Sequence, residues 1–288
     1  TAEDFLQAHI NDTQKGYATV PGCGKQGTQH PISTIFDCIY IDPARRNKNG
    51  GKVFSIEDCS PDLIQLYPIL PQHTKQMLVK LSPMLDISLA KKQLPHTRQV
   101  HIVSINGEVK ELLFLVDFTK PPTDNPELII AELKPSSPSS DISPKPPQIS
   151  LHLNAEQQAT ATYCDKDTFE ASNTAYLYEP HPALLKAGLF KWTSEYYGIK
   201  KLAPNTHLYI SNQLLTDFFG NIYQIEKETT KKQVKGLSCA VLARNYPIGA
   251  EQIRKEWNLR EPYSDNRTYL ICTKQDKHKI VFIANKLQ

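Results

Sequence analysis

Between residues 36 and 116 short apolar runs alternate with stretches of helical period. The runs at 36–41, 76–81, 100–105 and 111–116 have the length of strands, and the sequence between them reads as helix. Ser60 and Pro61 offer a cap followed by proline at the first helical position, after which Leu63, Leu66, Tyr67 and Leu70 recur at about 3.6-residue spacing. Asp86 can cap a shorter helix that carries Ile87, Ala90 and Leu94. Strands separated by crossover helices predict an α/β sheet with parallel members. The last two runs are separated by Asn106-Gly107-Glu108, a hairpin signal that makes the final pair antiparallel.

Residues 119–150 hold eight of the 21 prolines, with Ser136-Ser137-Pro138-Ser139-Ser140 at their centre, and read as a linker or long exposed loop. A second α+β domain is expected beyond it, with extended runs at 148–153, 206–210, 237–243, 268–273 and 280–283. Its clearest helix starts at His181-Pro182, carries Leu185, Leu189, Trp192 and Tyr196 on one face, and stops at Gly198; another spans 249–257. The organisation predicted is therefore a first domain over 1–118, a linker over 119–147 and a smaller domain over 148–288. No internal repeat is visible.

A chain of 288 residues with 40% hydrophobic positions can build two cores. No run approaches the roughly 18 apolar residues that span a bilayer, and the first residues lack the basic and apolar regions of a signal peptide, so a cytoplasmic protein without membrane contact is expected. The six cysteines, at 23, 38, 59, 164, 239 and 272, form no C-x-x-C pair and argue against a zinc site or disulfide framework; no metal is expected. The net charge of +3 is too small to imply polyanion binding by itself. Its distribution is uneven: residues 1–118 hold 12 basic and 12 acidic side chains, 119–150 hold 3 and 4, and 151–288 hold 18 and 14, a surplus of four.

Gly22-Cys23-Gly24-Lys25-Gln26-Gly27 matches a dinucleotide fingerprint in letters only. Pro31 follows and the next strand begins near Ile35, so the strand-turn-helix setting is missing and the glycines read as a polar loop. The stronger candidate is the place where the first strand stops in Asp42-Pro43-Ala44-Arg45-Arg46. In open α/β sheets the ligand crevice lies outside the carboxyl ends of the strands. The next strand stops in Lys80-Leu81-Ser82-Pro83, so Asp42 and Lys80 or Ser82 are expected at one sheet edge. Two plainer readings stand beside this: Asp and Pro are ordinary turn residues, and Lys80 and Arg45 could merely screen acids such as Glu57 and Asp58.

The strand ending in Asp42-Pro43-Ala44-Arg45 resembles motif IV of class I S-adenosylmethionine-dependent methyltransferases, and Thr1-Ala2-Glu3-Asp4-Phe5-Leu6 resembles their preceding motif III. Residues 42–46, 55–62 and 80–86 are more closely similar to bacterial methyltransferases that carry a THUMP-like C-terminal domain, and 176–188 and 243–247 extend that similarity into the second domain. The resemblance implies the later half of a Rossmann-like sheet plus a THUMP-like α+β domain, with S-adenosylmethionine as cofactor. It implies catalytic roles for Asp42, Pro43 and Arg45 and cofactor contacts at Glu3, Asp4 and Asp42. Substrate contacts fall on Arg45, Arg46, Lys80, Ser82 and Lys186. Arg45 stands where the amine-methylating relatives have an aromatic residue, and a guanidinium plane also stacks on a base. The glycine-rich motif I and the acidic ribose ligand have no counterpart, so residue 1 would fall about halfway through the methyltransferase fold.

The function expected is methyl transfer to RNA, a tRNA or rRNA base, with the THUMP-like domain helping to dock the substrate. A nucleic-acid-binding protein without catalysis and a methyltransferase of a small molecule or protein are the alternatives.

Overall fold

The structure, a computed structural model, describes residues 35–44, 56–58, 60–133, 148–164, 175–263 and 267–287. It is mixed α/β, with two mixed sheets, and divides into two compact units. The first comprises residues 1–103, 110–131 and 149–152, and the second 104–109, 132–148 and 153–288.

The first sheet contains β1 (Phe36–Ile41), β2 (Thr74–Leu81), β3 (Thr97–Ile105), β4 (Glu108–Asp117), β5 (Glu127–Leu133) and β6 (Gln148–His152), in the order β1-β2-β4-β3-β5-β6. β1 and β2 are parallel and β4 is antiparallel to β2. Register places Met77, Val79 and Leu81 opposite Val116, Phe114 and Leu112, so all six point to one face and all six are buried. Val100, Ile102, Leu128 and Ile130 are buried with them. Strict alternation of this kind gives a sheet one packed face and one partly wet face. The helices α1 (Leu63–Leu66) and α2 (Ile87–Gln93) supply further buried positions at Leu63, Leu66, Ile87 and Ala90.

The local signals explain the ends of these elements. Asp62, rather than Ser60, caps α1 by accepting from the Ile64 and Gln65 amides, and the expected longer helix gives way to a separate 3-10 turn at Leu70–Gln72. Asp86 caps α2 by accepting from the Leu89 amide. Asn106 and Gly107 have φ of 54° and 74°, the doubly left-handed pair that a two-residue hairpin turn requires.

The stretch expected as a linker contains β5, whose Leu128 and Ile130 are fully buried. β6, expected to open the second domain, is instead the last strand of the first sheet. The apolar run Leu128-Ile129-Ile130 is what makes residues 127–133 a strand. The prolines around it restrict its flanks and leave its interior amides available for pairing.

The second sheet runs β11-β12-β13-β10-β7-β9-β8 and is built from β7 (Ala175–Pro180), β8 (Lys200–Ala203), β9 (Thr206–Ser211), β10 (Gly220–Glu228), β11 (Ala240–Ala243), β12 (Thr268–Gln275) and β13 (His278–Lys286). Only β11 and β12 pair in parallel; the other described pairs are antiparallel. Successive residues of β12 and β13 go to opposite faces. Ile271, Phe282 and Ala284 join Leu177, Leu208 and Tyr223, while Leu270, Cys272, Val281 and Ile283 join Ile253 and Trp257. The sheet curls, because the Thr206 hydroxyl at the start of β9 donates to the Lys274 carbonyl on β12 over 2.8 Å.

The helix expected from His181 is two helices, α4 (Pro182–Lys186) and α5 (Phe190–Tyr197), parted near Gly188 at φ 72°. α3 (Ala155–Gln158) precedes them, and its Glu156 caps α5 by accepting from the Lys191 and Trp192 amides. The break turns the buried face toward Ala183, Leu184, Leu189, Thr193 and Ser194. Tyr196, expected to face inward, is 63% exposed and stacks on Trp192 at 4.4 Å. The last helix, α6 (Ala250–Glu256), lies where its pattern put it. No helix among the described residues is long and apolar enough to cross a membrane.

If β5 is core, Leu128→Ala should cost about 2–5 kcal/mol, as truncation of a buried leucine does. A linker residue would leave stability within about 0.5 kcal/mol. Urea unfolding of the two chains measures the difference.

Candidate functional site

The parallel register of β1 and β2 sets Ile41 opposite Val79, so the residues that follow, Asp42 and Lys80, come out side by side at the carboxyl ends of adjacent strands. The Lys80 ammonium lies 2.6 Å from the Asp42 Oδ2 and 4.0 Å from the Glu111 Oε1. Its pKa is raised above the ordinary lysine value, chiefly by the hydrogen bond to Asp42, so Lys80 is a cation throughout the neutral range. Asp42 keeps 44% of its side chain in solvent and has lone pairs to spare for a ligand. Pro43 is buried, and Ala44 closes the strand end by exchanging backbone hydrogen bonds with Ser60.

The other expected site residues fall differently. Ser82 is buried, and its Oγ accepts from the Met84 amide at 3.3 Å, a turn-forming contact. The acids that Lys80 meets are Asp42 and Glu111; Glu57 accepts instead from the Gln93 amide group. Lys186 is in the second unit, in the last turn of α4. Glu3, Asp4, Arg45, Arg46 and the glycines at 22, 24 and 27 lie outside the described residues. Among the described residues no group of His, Cys, Asp and Glu is placed to hold a metal.

A second cluster, to which no role was assigned from sequence, lies wholly within the second unit. β7 ends in Glu179-Pro180-His181, and Glu179 is buried at 5% exposure. Its Oε2 accepts from Asn221 Nδ2 at 2.9 Å and from the Tyr223 hydroxyl at 3.1 Å, both on β10. Its Oε1 accepts from Arg244 Nε at 2.8 Å, just beyond β11, and pairs by charge with Nη2 at 2.6 Å. Three hydrogen-bond donors and this ion pair compensate a carboxylate taken out of water. Burial, and next the Glu179 charge, push the Tyr223 phenol far up, so it remains a donor.

Gly220 allows the close approach that builds this cluster. A Cβ there would meet the Glu179 carbonyl oxygen at 2.2 Å, so the β10 backbone can reach β7 only without a side chain. Around Glu179 and Arg244 opens a cavity of about 650 Å³, with His181, Asp217, Phe218 and Phe219 among its walls. The letters Glu-Pro-His-Pro were visible in the sequence. Their partners Asn221 and Arg244 are 42 and 65 residues away, and no local spacing rule connects them.

His181 Nδ1 accepts from the Ala183 amide at 3.2 Å, which leaves the ring proton on Nε2. That nitrogen is 3.2 Å from the Glu132 Oε2, a charge contact without hydrogen-bond alignment. Burial lowers the imidazole pKa, against the opposite pull of Glu132.

The chain resembles known proteins in two respects. A ferredoxin-like domain family matches residues 176–218, which include Glu179 and His181. The crystal structure of a putative methyltransferase from Porphyromonas gingivalis W83 is similar at 28% sequence identity and a TM-score of 0.71, covering 88% of this chain. The chain spans 60% of the length of that protein. No curated protein matches.

The lowered pKa of His181 has a defined sign. A base that binds its proton more weakly when folded stabilises the fold above its ordinary value of 6.5, and that stability is lost as the pH falls from there toward the folded value. The urea midpoint should therefore drop between pH 7 and pH 5. His181→Asn, which keeps an acceptor for the Ala183 amide, should flatten the drop in part, because burial lowers His101 and His207 in the same direction.

Proposed function

We propose that this chain is part of an S-adenosylmethionine-dependent methyltransferase acting on RNA, with the Asp42 strand edge as its reaction site. The observation that carries this reading is the pairing of the exposed Asp42, at a strand end, with Lys80 on the next parallel strand, in a chain similar to a putative methyltransferase. In this reading the first unit is the later half of a Rossmann-like sheet and the second is a THUMP-like domain that docks the RNA.

Asp42 is the described residue that fits a place beside cofactor and acceptor, since its carboxylate is accessible at a strand end. When bound, the cofactor would supply a methyl group on a sulfonium centre, toward which the acceptor nitrogen's lone pair must point. The protein's task is alignment and exclusion of water. The Asp42 carboxylate and the Pro43 carbonyl accept hydrogen bonds from the acceptor's amino group and aim that lone pair. Lys80 fixes the carboxylate in place. Arg45 and Arg46, which follow in the chain, supply stacking and phosphate contacts.

The test uses the whole gene product, because the glycine-rich cofactor motif has no counterpart within these 288 residues. Calorimetric titration should give specific S-adenosylmethionine binding, and tritium from the labelled methyl group should enter RNA. Asp42→Ala should lower kcat by about a hundredfold with cofactor affinity kept, the signature of a lost aligning contact. Lys80→Ala should lower kcat in the same direction. If Lys80 instead contacts a phosphate, kcat would hold and the salt dependence of RNA binding would flatten by about one unit. Wild-type turnover in Asp42→Ala would remove the strand-end acid from the mechanism.

A further inference from the structure

The cavity of the second unit has a chemistry distinct from the strand edge. The guanidinium of Arg244 carries five N–H bonds. Nε gives one to Glu179, Nη2 lies in charge contact with the same carboxylate oxygen at 2.6 Å, and Nη1 gives one to the Ala243 carbonyl at 3.2 Å. This side-on grip leaves the two N–H bonds at the far end of the group, one on each terminal nitrogen, without a partner among the described residues. The side chain is 51% exposed where it lines the cavity. The result is a rigid two-donor fork, held from behind by a buried carboxylate.

Such a fork fits a carboxylate, a phosphate or two adjacent acceptors on a flat ring. The remaining walls decide among these. Glu132, Glu179 and Asp217 all line the cavity against the single guanidinium, and this excess of negative charge opposes an anionic ligand. An uncharged ligand is favoured, with acceptors on one edge and N–H donors on another. The apolar walls suit a planar ring: Phe218 is buried, and Phe219 lies against His181 with ring centroids 4.5 Å apart and planes tilted by 34°. At about 650 Å³ the space admits a base with its sugar.

We infer that this cavity is a nucleobase pocket for guanine, the Arg244 fork donating to O6 and N7 and the exposed Asp217 carboxylate accepting from N1–H and the N2 amino group. Adenine would turn its N6 amino group toward the guanidinium, donor against donor. Cytosine offers the fork two acceptors but has a single donor group for the carboxylate. Guanine can reach such a cavity only where it is unpaired. The source consistent with the proposed function is a single-stranded segment of the RNA substrate, and to that extent the inference rests on the proposed function. A free guanine nucleotide has the same chemistry.

The 288-residue chain allows a direct test. Fluorescence titration would compare a labelled single-stranded RNA oligomer containing one guanine with the same oligomer carrying adenine there, using GMP, AMP and CMP as competitors. We expect at least about tenfold preference for guanine, the scale of one bidentate contact, with GMP the best competitor. Asp217→Asn, at an exposed loop position, should lower that preference about tenfold with an unchanged melting temperature; Arg244→Lys keeps the charge beside Glu179 but loses the fork, and should lower the preference likewise together with the melting temperature. Competition by GMP with no guanine preference in the oligomer supports the same pocket and assigns it to free nucleotide. Equal binding of GMP and AMP, or guanine preference intact in Asp217→Asn, overturns the inference. Methyl transfer to RNA by the whole gene product is measured separately, so loss of the guanine pocket leaves the proposed function standing, and the reverse also holds.

Discussion

A buried carboxylate organises the second unit. Glu179 at 5% exposure is tolerable only while Asn221, Tyr223 and Arg244 all reach it. Two separate segments of chain, β10 and the residue that follows β11, are thereby tied to the end of β7. The residue needed for that closeness is the one with no side chain, Gly220. Charge compensation and backbone approach are therefore one constraint: loosen either, and a carboxylate is left in apolar surroundings with its donors out of reach. The same constraint shapes the cavity, because Arg244 is immobilised on its inner side and available on its outer side.

The first unit is governed by register. Two parallel strands whose Ile41 and Val79 are aligned must deliver their following residues to the same level. A slip of one residue would turn Met77, Val79 and Leu81 out of the core, so packing on the buried face fixes the position of Asp42 and Lys80. Site and core are in this sense the same decision. The ion pair that results contributes little as a surface contact, both partners being partly in water, and its significance is orientational.

Much of this was legible in the sequence, for reasons that particular residues make clear. The four runs of the first unit were found because each is short, apolar and set between stretches of helical period, and Asn106-Gly107 identified its turn by the backbone conformations those residues tolerate. β5 was hidden by composition, since Leu128-Ile129-Ile130 is a short apolar run inside a proline-rich stretch. β10, with Gln224, Glu226, Lys227 and Glu228 among its nine residues, carries too many polar positions to read as an interior strand. The split of the long helix at Gly188 moved the buried face away from Trp192 and Tyr196. The Asp42 edge could be seen because strand ends are a local feature. The Glu179 cluster is assembled from positions 42 to 65 residues apart, which makes it a property of topology.

The placement of β13 bears on synthesis. It follows every other described strand in the chain, yet in the sheet it lies between β12 and β10. Until it emerges from the ribosome, β11 and β12 have no edge through which to join β10, β7, β9 and β8, and the Gln275 contact to the Cys164 carbonyl, 111 residues back, cannot be held in place by the sheet. Domains usually fold as units while the chain lengthens from its N-terminus. Here the second unit must wait, its apolar strands Leu177, Leu208 and Ile271 exposed in the meantime. A nascent chain of this kind is a natural client for chaperones, and a stop codon before His278 would divide the sheet at its middle.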